Sequence, residues 1–96
     1  WLHGISHITG GGLVENTNRI LPEGCELDVD WSAWERPELF KLIQKVGDVP
    51  EKDMRRTFNL GVGLVAIIEE SKVSEFTNHL DGLNEKWFNI GKVKTA

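Results

Sequence analysis

The spacing of hydrophobic residues changes along the chain and predicts alternating strands and helices. Residues 1–9 form an extended segment that ends in the run Thr9-Gly10-Gly11-Gly12, which predicts a tight turn. Helical spacing follows, with Leu13, Val14, Thr17, Ile20 and Leu21 on one face. Pro22 and Gly24 end this helix. Apolar and acidic residues then alternate over residues 25–30, which is typical of a half-buried strand.

The middle of the chain predicts two more helices. Ser32 and Glu35 have the spacing of a capping box, and Pro37 suits a first helical turn. The amphipathic helix that follows contains Leu39, Phe40, Ile43 and Val46. Gly47 is expected to end it as a left-handed cap. A short helix opens at Pro50, after a possible cap at Asp48, with Met54 and Phe58 on its buried side.

The last third predicts a strand, a helix and a final strand. Residues 60–68 are largely apolar at both odd and even positions, which face opposite sides of a strand. We therefore expect a central strand covered on both faces. Ser71 is expected to cap the next helix, with Gly82 near its end. The inward side of that helix is predicted to comprise Val73, Phe76, Leu80 and Leu83. Residues 87–93 complete the order β-α-β-α-α-β-α-β.

This order predicts one α/β (α+β) domain with helices packed on a mixed β-sheet. The chain has 96 residues, of which 40% are hydrophobic and 27% charged, an ordinary globular balance. Its formal net charge is -4 and its Lys and Arg residues are scattered, so we expect no nucleic-acid partner. The apolar run over residues 60–68 is too short to cross a bilayer, and no signal peptide is visible. We therefore expect no membrane partner.

Cysteine and histidine usage predicts neither a disulfide nor a metal site. Cys25 is the single cysteine, which excludes an internal disulfide and fits a reducing compartment. The three histidines, His3, His7 and His79, have unrelated spacings and make no zinc pattern with Cys25.

The glycine-rich turn is the strongest candidate for a functional site, and its chemistry suits an anion. The first amides of a helix lack internal partners, and glycines let an anion approach them closely. Thr9 can add a hydroxyl donor, and Asn16 lies in the first helical turn, where it can bind a ligand. No Walker lysine follows the glycines, so a plain strand-to-helix turn remains the alternative.

Other polar residues allow two interpretations each. His7 can act as a general acid or base or donate to a phosphoryl oxygen, or it can simply hydrogen-bond the turn. Arg55 and Arg56 can meet a phosphate, although arginines on a short polar helix are usually solvated or paired. Gly61 and Gly63 indicate either close approach of a ligand or tight packing.

Several motifs occur along the chain in an order typical of one enzyme family. Residues 7–13 read H-I-T-G-G-G-L and are completed by Glu15-Asn16; residues 19–22 read R-I-L-P. Trp34, Pro37 and Phe40 fit a W-x-x-P-x-x-F pattern. Residues 54–63 read M-R-R-T-F-N-L-G-V-G, preceded by Asp53 where the family usually has Glu, and Ile90-Gly91 closes the series. Together these motifs resemble aminoimidazole ribonucleotide synthetase, and the resemblance covers nearly the whole chain.

The resemblance implies an α/β C-terminal domain that shares an active-site cleft with an ATP-binding N-terminal domain. We expect residues 1–96 to be part of that C-terminal domain, with the N-terminal domain absent. The implied enzyme is a cytoplasmic homodimer that uses ATP and magnesium to close the imidazole ring of its substrate, formylglycinamidine ribonucleotide. No cofactor is expected to bind tightly to these residues alone, and this part by itself is expected to be inactive.

The resemblance also implies roles for particular residues. His7 becomes the candidate catalytic residue. Thr9, Gly10, Gly11 and Gly12, with Asn16, become the candidate phosphate- or substrate-binding residues, and no metal ligand is expected. No role follows for the matching residues Arg56, Asn59, Gly61 and Gly63. The alternatives are the related formylglycinamide ribonucleotide amidotransferase, against which the R-T-F-N run argues, and a non-catalytic anion-binding or interaction module.

Overall fold

Helices and strands alternate in the predicted order in the computed structural model, which describes residues 1–95. The strands are β1 (Leu2–His7), β2 (Cys25–Val29), β3 (Leu64–Ile68) and β4 (Gly91–Thr95). The helices are α1 (Gly12–Asn18), α2 (Glu38–Gly47), α3 (Glu51–Thr57) and α4 (Val73–Gly82), with a 3₁₀ turn at Glu70–Lys72. The predicted α/β (α+β) class is therefore confirmed.

The strand pairing differs from the mixed sheet that the sequence suggested. Over residues 1–95 the strands form two antiparallel two-stranded sheets, β1 with β3 and β2 with β4. The predicted nine-residue strand is shorter because Leu60 and Gly61 have φ angles of 55° and 100°. Those left-handed angles cannot continue a strand, so residues 60–63 turn and β3 begins at Leu64.

β3 is also not covered on both faces, contrary to expectation. Val65 points into the core with 6% exposure, whereas the neighbouring Leu64 is 63% exposed. Leu64 lies opposite His7, and Ile5 lies opposite Ala66, so these four residues share the outer face of the sheet. That outer face is largely apolar.

Three predicted helix caps lie elsewhere. Asp48, not Gly47, takes the left-handed conformation after α2, which Asp tolerates better than most residues. Ser32 does not cap a helix, because its hydroxyl donates to the Asp30 carboxylate. Ser71 lies inside the 3₁₀ turn, and α4 begins two residues later at Val73.

The core lies between the two sheets and α1. Its main buried cluster comprises Ile8, Leu13, Trp34, Val62 and Val65. The Trp34 indole Nε1 donates to the Leu60 carbonyl at 3.0 Å, which ties the segment before α2 to the turn before β3. Because Ile8 and Leu13 flank the glycine-rich turn, the core fixes that turn at both ends.

The molecule is flat. It measures 42 × 35 × 19 Å, and its radius of gyration is 14.2 Å, against about 13 Å for a compact domain of 100 residues. α4 has no fully buried residue and lies at the edge, where Phe76 meets Trp1 with ring centres 5.5 Å apart. Among the helices of residues 1–95, none is long and apolar enough to span a membrane.

Candidate functional site

The glycine-rich turn joins the end of β1 to the start of α1. The Ile8 N–H donates to the Gly63 carbonyl at 2.9 Å, which extends the contact between the two strands by one residue. The Gly12 N–H donates back to the Thr9 carbonyl at 3.2 Å and closes the turn. Both contacts are backbone contacts, so the turn's path depends little on the side chains of the turn itself.

Asn16 holds the turn from inside. Its side chain is buried, and Nδ2 lies 3.1 Å from the Thr9 carbonyl oxygen, 3.3 Å from that of Gly10 and 2.7 Å from that of Gly12. Its Oδ1 accepts from Arg19 Nη1 at 3.1 Å and lies 3.4 Å from the Thr9 hydroxyl. The amide group is therefore fully occupied by the turn and by Arg19.

The Asn16 contacts determine where the turn's N–H groups point. In a trans peptide, the carbonyl and the next N–H point in opposite directions. Since the Thr9 and Gly10 carbonyls point toward Asn16, the N–H groups of Gly10 and Gly11 point away from it. Within residues 1–95 neither N–H has a hydrogen-bond acceptor. Two free donors therefore face outward, an arrangement suited to an anion.

The three glycines of the turn have different surroundings. Gly11 and Gly12 have φ angles of 102° and 83°, which other residues rarely adopt. A Cβ on Gly12 would also overlap the Arg55 carbonyl oxygen, because α1 and α3 pack closely there. A Cβ on Gly10 would meet nothing within 4 Å. The fold of residues 1–95 explains the glycines at 11 and 12 but not the one at 10.

His7 is the last residue of β1 and lies on the exposed outer face of the sheet. Within the described residues its imidazole makes no hydrogen bond and no ion pair, so both ring nitrogens remain available. The neighbouring Ser6 is buried and Thr9 is exposed. The structure thus brings His7, Thr9 and the free amides to one exposed stretch, while Asn16 supports it from beneath.

A cleft of about 660 Å³ adjoins the turn at Gly11. The side chains of Glu15, Arg19, Trp31, Lys52, Arg55 and Arg56 line it. The Arg55 guanidinium carbon lies 4.3 Å from the centre of a Trp31 ring. Sequence reasoning singled out Arg55 and Arg56 but missed this grouping. The i, i+3, i+4 spacing of Lys52, Arg55 and Arg56 was the available signal.

The Glu51 carboxylate, in the first turn of α3, binds side chains from α2, α3 and the segment before α2. The Glu51 carboxylate accepts from Arg36 Nη2 at 2.6 Å, from Arg55 Nε at 2.8 Å and from Gln44 Nε2 at 3.2 Å. The hydrogen bonds from Arg36, and next from Arg55 and Gln44, lower the pKa of Glu51 from its ordinary 4.5 to about 2. Glu51 therefore stays ionised and fixes the Arg55 side chain against Trp31.

No group of three or more His, Cys, Asp or Glu side chains comes together among residues 1–95 in a way that could hold a metal ion. The described residues therefore do not by themselves enclose a magnesium ion. The donors that they do offer are N–H groups, hydroxyls and cations, all of which suit phosphate oxygens.

A glycine-rich turn that joins a strand to a helix, in a chain where strands and helices alternate, places the protein in the α/β (α+β) class. The family described as "AIR synthase related protein, C-terminal domain" matches residues 1–96, and the chain belongs to this family. The resemblance noted in the sequence is thereby confirmed.

The chain is similar to several bacterial proteins named phosphoribosylformylglycinamidine cyclo-ligase. It is 53% identical over 92 residues to the one from Geotalea daltonii, covering 96% of this chain and 26% of that protein. It is 46% identical over 92 residues to the one from Pseudothermotoga lettingae, covering 96% of this chain and 27% of that protein. The chain thus spans about a quarter of the length of these relatives.

Proposed function

We propose that residues 1–96 form part of the C-terminal domain of an ATP-dependent cyclo-ligase, a ligase of de novo purine biosynthesis. The intact enzyme would convert formylglycinamidine ribonucleotide to aminoimidazole ribonucleotide and release ADP and phosphate. The family match and the names of the relatives support this proposal. Since the chain spans about a quarter of those relatives, the activity belongs to the intact enzyme, whose ATP-binding domain lies outside these residues.

The observation that carries the site is the pair of outward N–H groups at Gly10 and Gly11. In the proposed reaction the formyl-derived oxygen of the substrate attacks the γ-phosphorus of ATP, and ADP leaves. A substrate nitrogen then attacks the carbon that carries this oxygen. The bond between that carbon and the oxygen breaks, phosphate leaves with the oxygen, and the nitrogen loses a proton. Donors fixed in place before the reaction stabilise the negative charge on the phosphoryl oxygens at every stage.

His7 is the proposed catalytic residue of this chain. Its exposed imidazole lies two residues before Thr9 and can donate to a phosphoryl oxygen or take the proton from the attacking nitrogen. Thr9, Gly10, Gly11 and Gly12 form the proposed phosphate- or substrate-binding turn. Asn16 holds that turn in shape, because its amide is already occupied by the turn's carbonyl groups.

The proposal includes two substrates and an assembly for the intact enzyme. ATP, accompanied by magnesium, and formylglycinamidine ribonucleotide would meet between the two domains. We propose a cytoplasmic homodimer. The names of the relatives favour the cyclo-ligase over the related amidotransferase. The coding sequence upstream of Trp1 distinguishes the enzyme from a non-catalytic module. The enzyme requires a glycine-rich nucleotide-binding domain there, and a non-catalytic module would lack one.

The test is His7→Ala in the intact enzyme, with His3→Ala as a matched control on the same exposed strand. We expect His7→Ala to lower turnover by about 10²–10⁴-fold, the usual contribution of general acid–base catalysis. The unfolding midpoint should hardly change, because the side chain is exposed. His7→Asn should recover part of the loss if hydrogen-bond donation is the role. Near-normal turnover of His7→Ala would show that His7 is not catalytic, and only the backbone of the turn would remain as the proposed site.

A further inference from the structure

We propose that the cleft between α1 and α3 is a binding site for a phosphate monoester. Its lining carries four cations, Arg19, Lys52, Arg55 and Arg56, and one carboxylate, Glu15. The whole chain has a formal charge of -4, so this cleft is a positive region on an acidic molecule. A local concentration of one sign attracts ligands of the opposite sign and raises their rate of encounter.

Two of the cations have no counterion in the described part of the chain. Neither Lys52 nor Arg56 forms an ion pair there, although the two lie one helical turn apart on the same side of α3. Like charges at this spacing destabilise a helix modestly. Both side chains are exposed, so the two cations are open to an anionic ligand.

The other two cations are held in place. Arg55 is fixed between the Glu51 carboxylate, at 2.8 Å, and the Trp31 ring, at 4.3 Å. Arg19 is held by Asn16 and by the Glu15 carboxylate at 3.2 Å. Cations that are already oriented lose less conformational entropy when they bind a ligand. The cleft therefore combines two guanidinium groups that have partners with two cations that form no ion pair in the described residues.

The Glu15 carboxylate lies beside the turn, where a bound anion would compete with it. Its carboxylate oxygen lies 2.9 Å from the position that a Cβ on Gly11 would take, so the carboxylate rests directly over the turn. The side chains of Glu15 and Arg19 are both 60% exposed, and an exposed pair of this kind is weak. A phosphate dianion can displace this carboxylate and take over its contact with Arg19.

The dimensions of the cleft fit the terminal phosphate and sugar of a nucleotide. Ligand sites have volumes of about 300–1,000 Å³, and this cleft has about 660 Å³. The Trp31 side chain adds an apolar wall beside the cations. The ligand class is a sugar phosphate; the proposed cyclo-ligase function enters only in the choice of probes, since both of its substrates carry phosphate.

The experiment measures binding of ribose 5-phosphate to the chain by calorimetry or by shifts of amide resonances, at constant ionic strength. We expect saturable binding that inorganic phosphate displaces. Arg56→Gln and Lys52→Gln should each raise Kd about tenfold, the effect of losing one charged hydrogen bond. Lys45→Gln, which removes a cation from α2 outside the cleft, should leave Kd within about twofold.

A second variant tests the displacement of Glu15. Glu15→Gln keeps the size of the side chain but removes the competing charge, so it should tighten binding of ribose 5-phosphate several-fold. No saturable binding, or equal weakening by Lys45→Gln, would overturn the proposal, because either result describes a generally solvated surface. Unchanged binding in both Arg56→Gln and Lys52→Gln would do the same. Unfolding midpoints of all variants exclude loss of fold as the cause.

Comparison of two probes identifies the source of the phosphate. If ATP binds no better than ribose 5-phosphate, the site takes the monoester of the ribonucleotide. If ATP binds far better through the same residues, the site takes a polyphosphate, and the monoester proposal is wrong. His79→Ala, which removes an imidazole on α4 outside the cleft, serves as an independent check, since it should not change Kd for ribose 5-phosphate. Because this Kd is measured without turnover, binding at the cleft and turnover through His7 can fail separately.

Discussion

Single residues at the glycine-rich turn show how much of a motif the local structure explains. Gly11 is required by its backbone angle, and Gly12 by its backbone angle and by the nearby Arg55 carbonyl. Gly10 has neither requirement in the described residues, so its lack of a side chain fits the approach of a ligand. The sequence predicted the turn but could not separate these reasons, because the closeness of α3 to Gly12 is a tertiary contact.

The comparison of Gly12→Ala with Gly10→Ala tests this separation. Gly12→Ala combines a left-handed backbone angle with overlap against α3, so we expect a loss of about 3 kcal/mol in the free energy of unfolding. Gly10→Ala should change it by no more than about 0.5 kcal/mol. Urea denaturation of both variants gives the two values.

In the intact enzyme, Gly10→Ala should nevertheless lower turnover, because a methyl group would stand beside the outward amides. A Gly10→Ala protein that is as unstable as Gly12→Ala would contradict our account of the turn. Normal turnover of Gly10→Ala would show that no ligand comes close at this residue.

At the scale of elements, Glu51 connects three segments. Its carboxylate accepts from Arg36 before α2, from Gln44 within α2 and from Arg55 within α3. Sequence reasoning located both helices because their apolar spacing is local. It could not find this connection, because Arg36 and Glu51 become neighbours only when the chain reverses at Asp48.

The lowered pKa of Glu51 predicts an acid-dependent loss of stability. Because the pKa falls from 4.5 to about 2 on folding, the ionised carboxylate stabilises the fold fully above pH 4.5. This contribution is lost as the pH falls toward 2. Since the Glu51 side chain is 42% exposed, we expect this contribution to the free energy of unfolding to be on the order of 1 kcal/mol after solvent screening.

Glu51→Gln should therefore lower stability at neutral pH and flatten the pH dependence of the unfolding free energy between pH 4.5 and 2. Glu75→Gln is the matched control, since Glu75 forms a single exposed ion pair with Lys72 at 3.6 Å. Denaturant unfolding at several pH values measures both variants. If the unfolding free energies of the two variants depend on pH in the same way between pH 4.5 and 2, the stabilising role assigned to Glu51 is wrong.

At the scale of the whole molecule, much apolar surface is exposed. Leu39, Leu42 and Val46 line one side of α2, and Val46 is 79% exposed; the outer sheet face adds Ile5 and Leu64. The sequence led us to expect that β3 would be covered on both faces, because an apolar strand usually is. The apolar pattern of a strand predicts that both of its faces can be covered, but it does not identify the elements that would pack on each face.

We therefore expect the isolated chain to self-associate or to bind dyes that report exposed apolar surface. Analytical ultracentrifugation should show dimers or larger species whose fraction rises with concentration. Ile5→Thr combined with Leu64→Thr should reduce both signals, because these residues lie on the outer sheet face. A clean monomer over a wide concentration range, without dye binding, would contradict this expectation.

We also expect the isolated chain to lack cyclisation activity. It spans 26% of the length of the Geotalea daltonii relative, so most of a two-domain cleft would lie outside it. Holding both reactants in attack geometry can supply about 7–11 kcal/mol of catalysis, and one wall of a cleft cannot do this. Release of ADP coupled to imidazole formation by the purified chain would refute the prediction.

The crossed pairing of the strands has a consequence for synthesis on the ribosome. His7 pairs with Leu64 and Val29 pairs with Gly91, so each sheet joins distant parts of the chain. Translation adds about 5–20 residues per second and delivers the N-terminal part first. β2 must therefore wait unpaired until β4 emerges, while β1 and β3 can already meet. The nascent chain would complete its two sheets in a fixed order, and the second would form only when translation of these residues is almost finished.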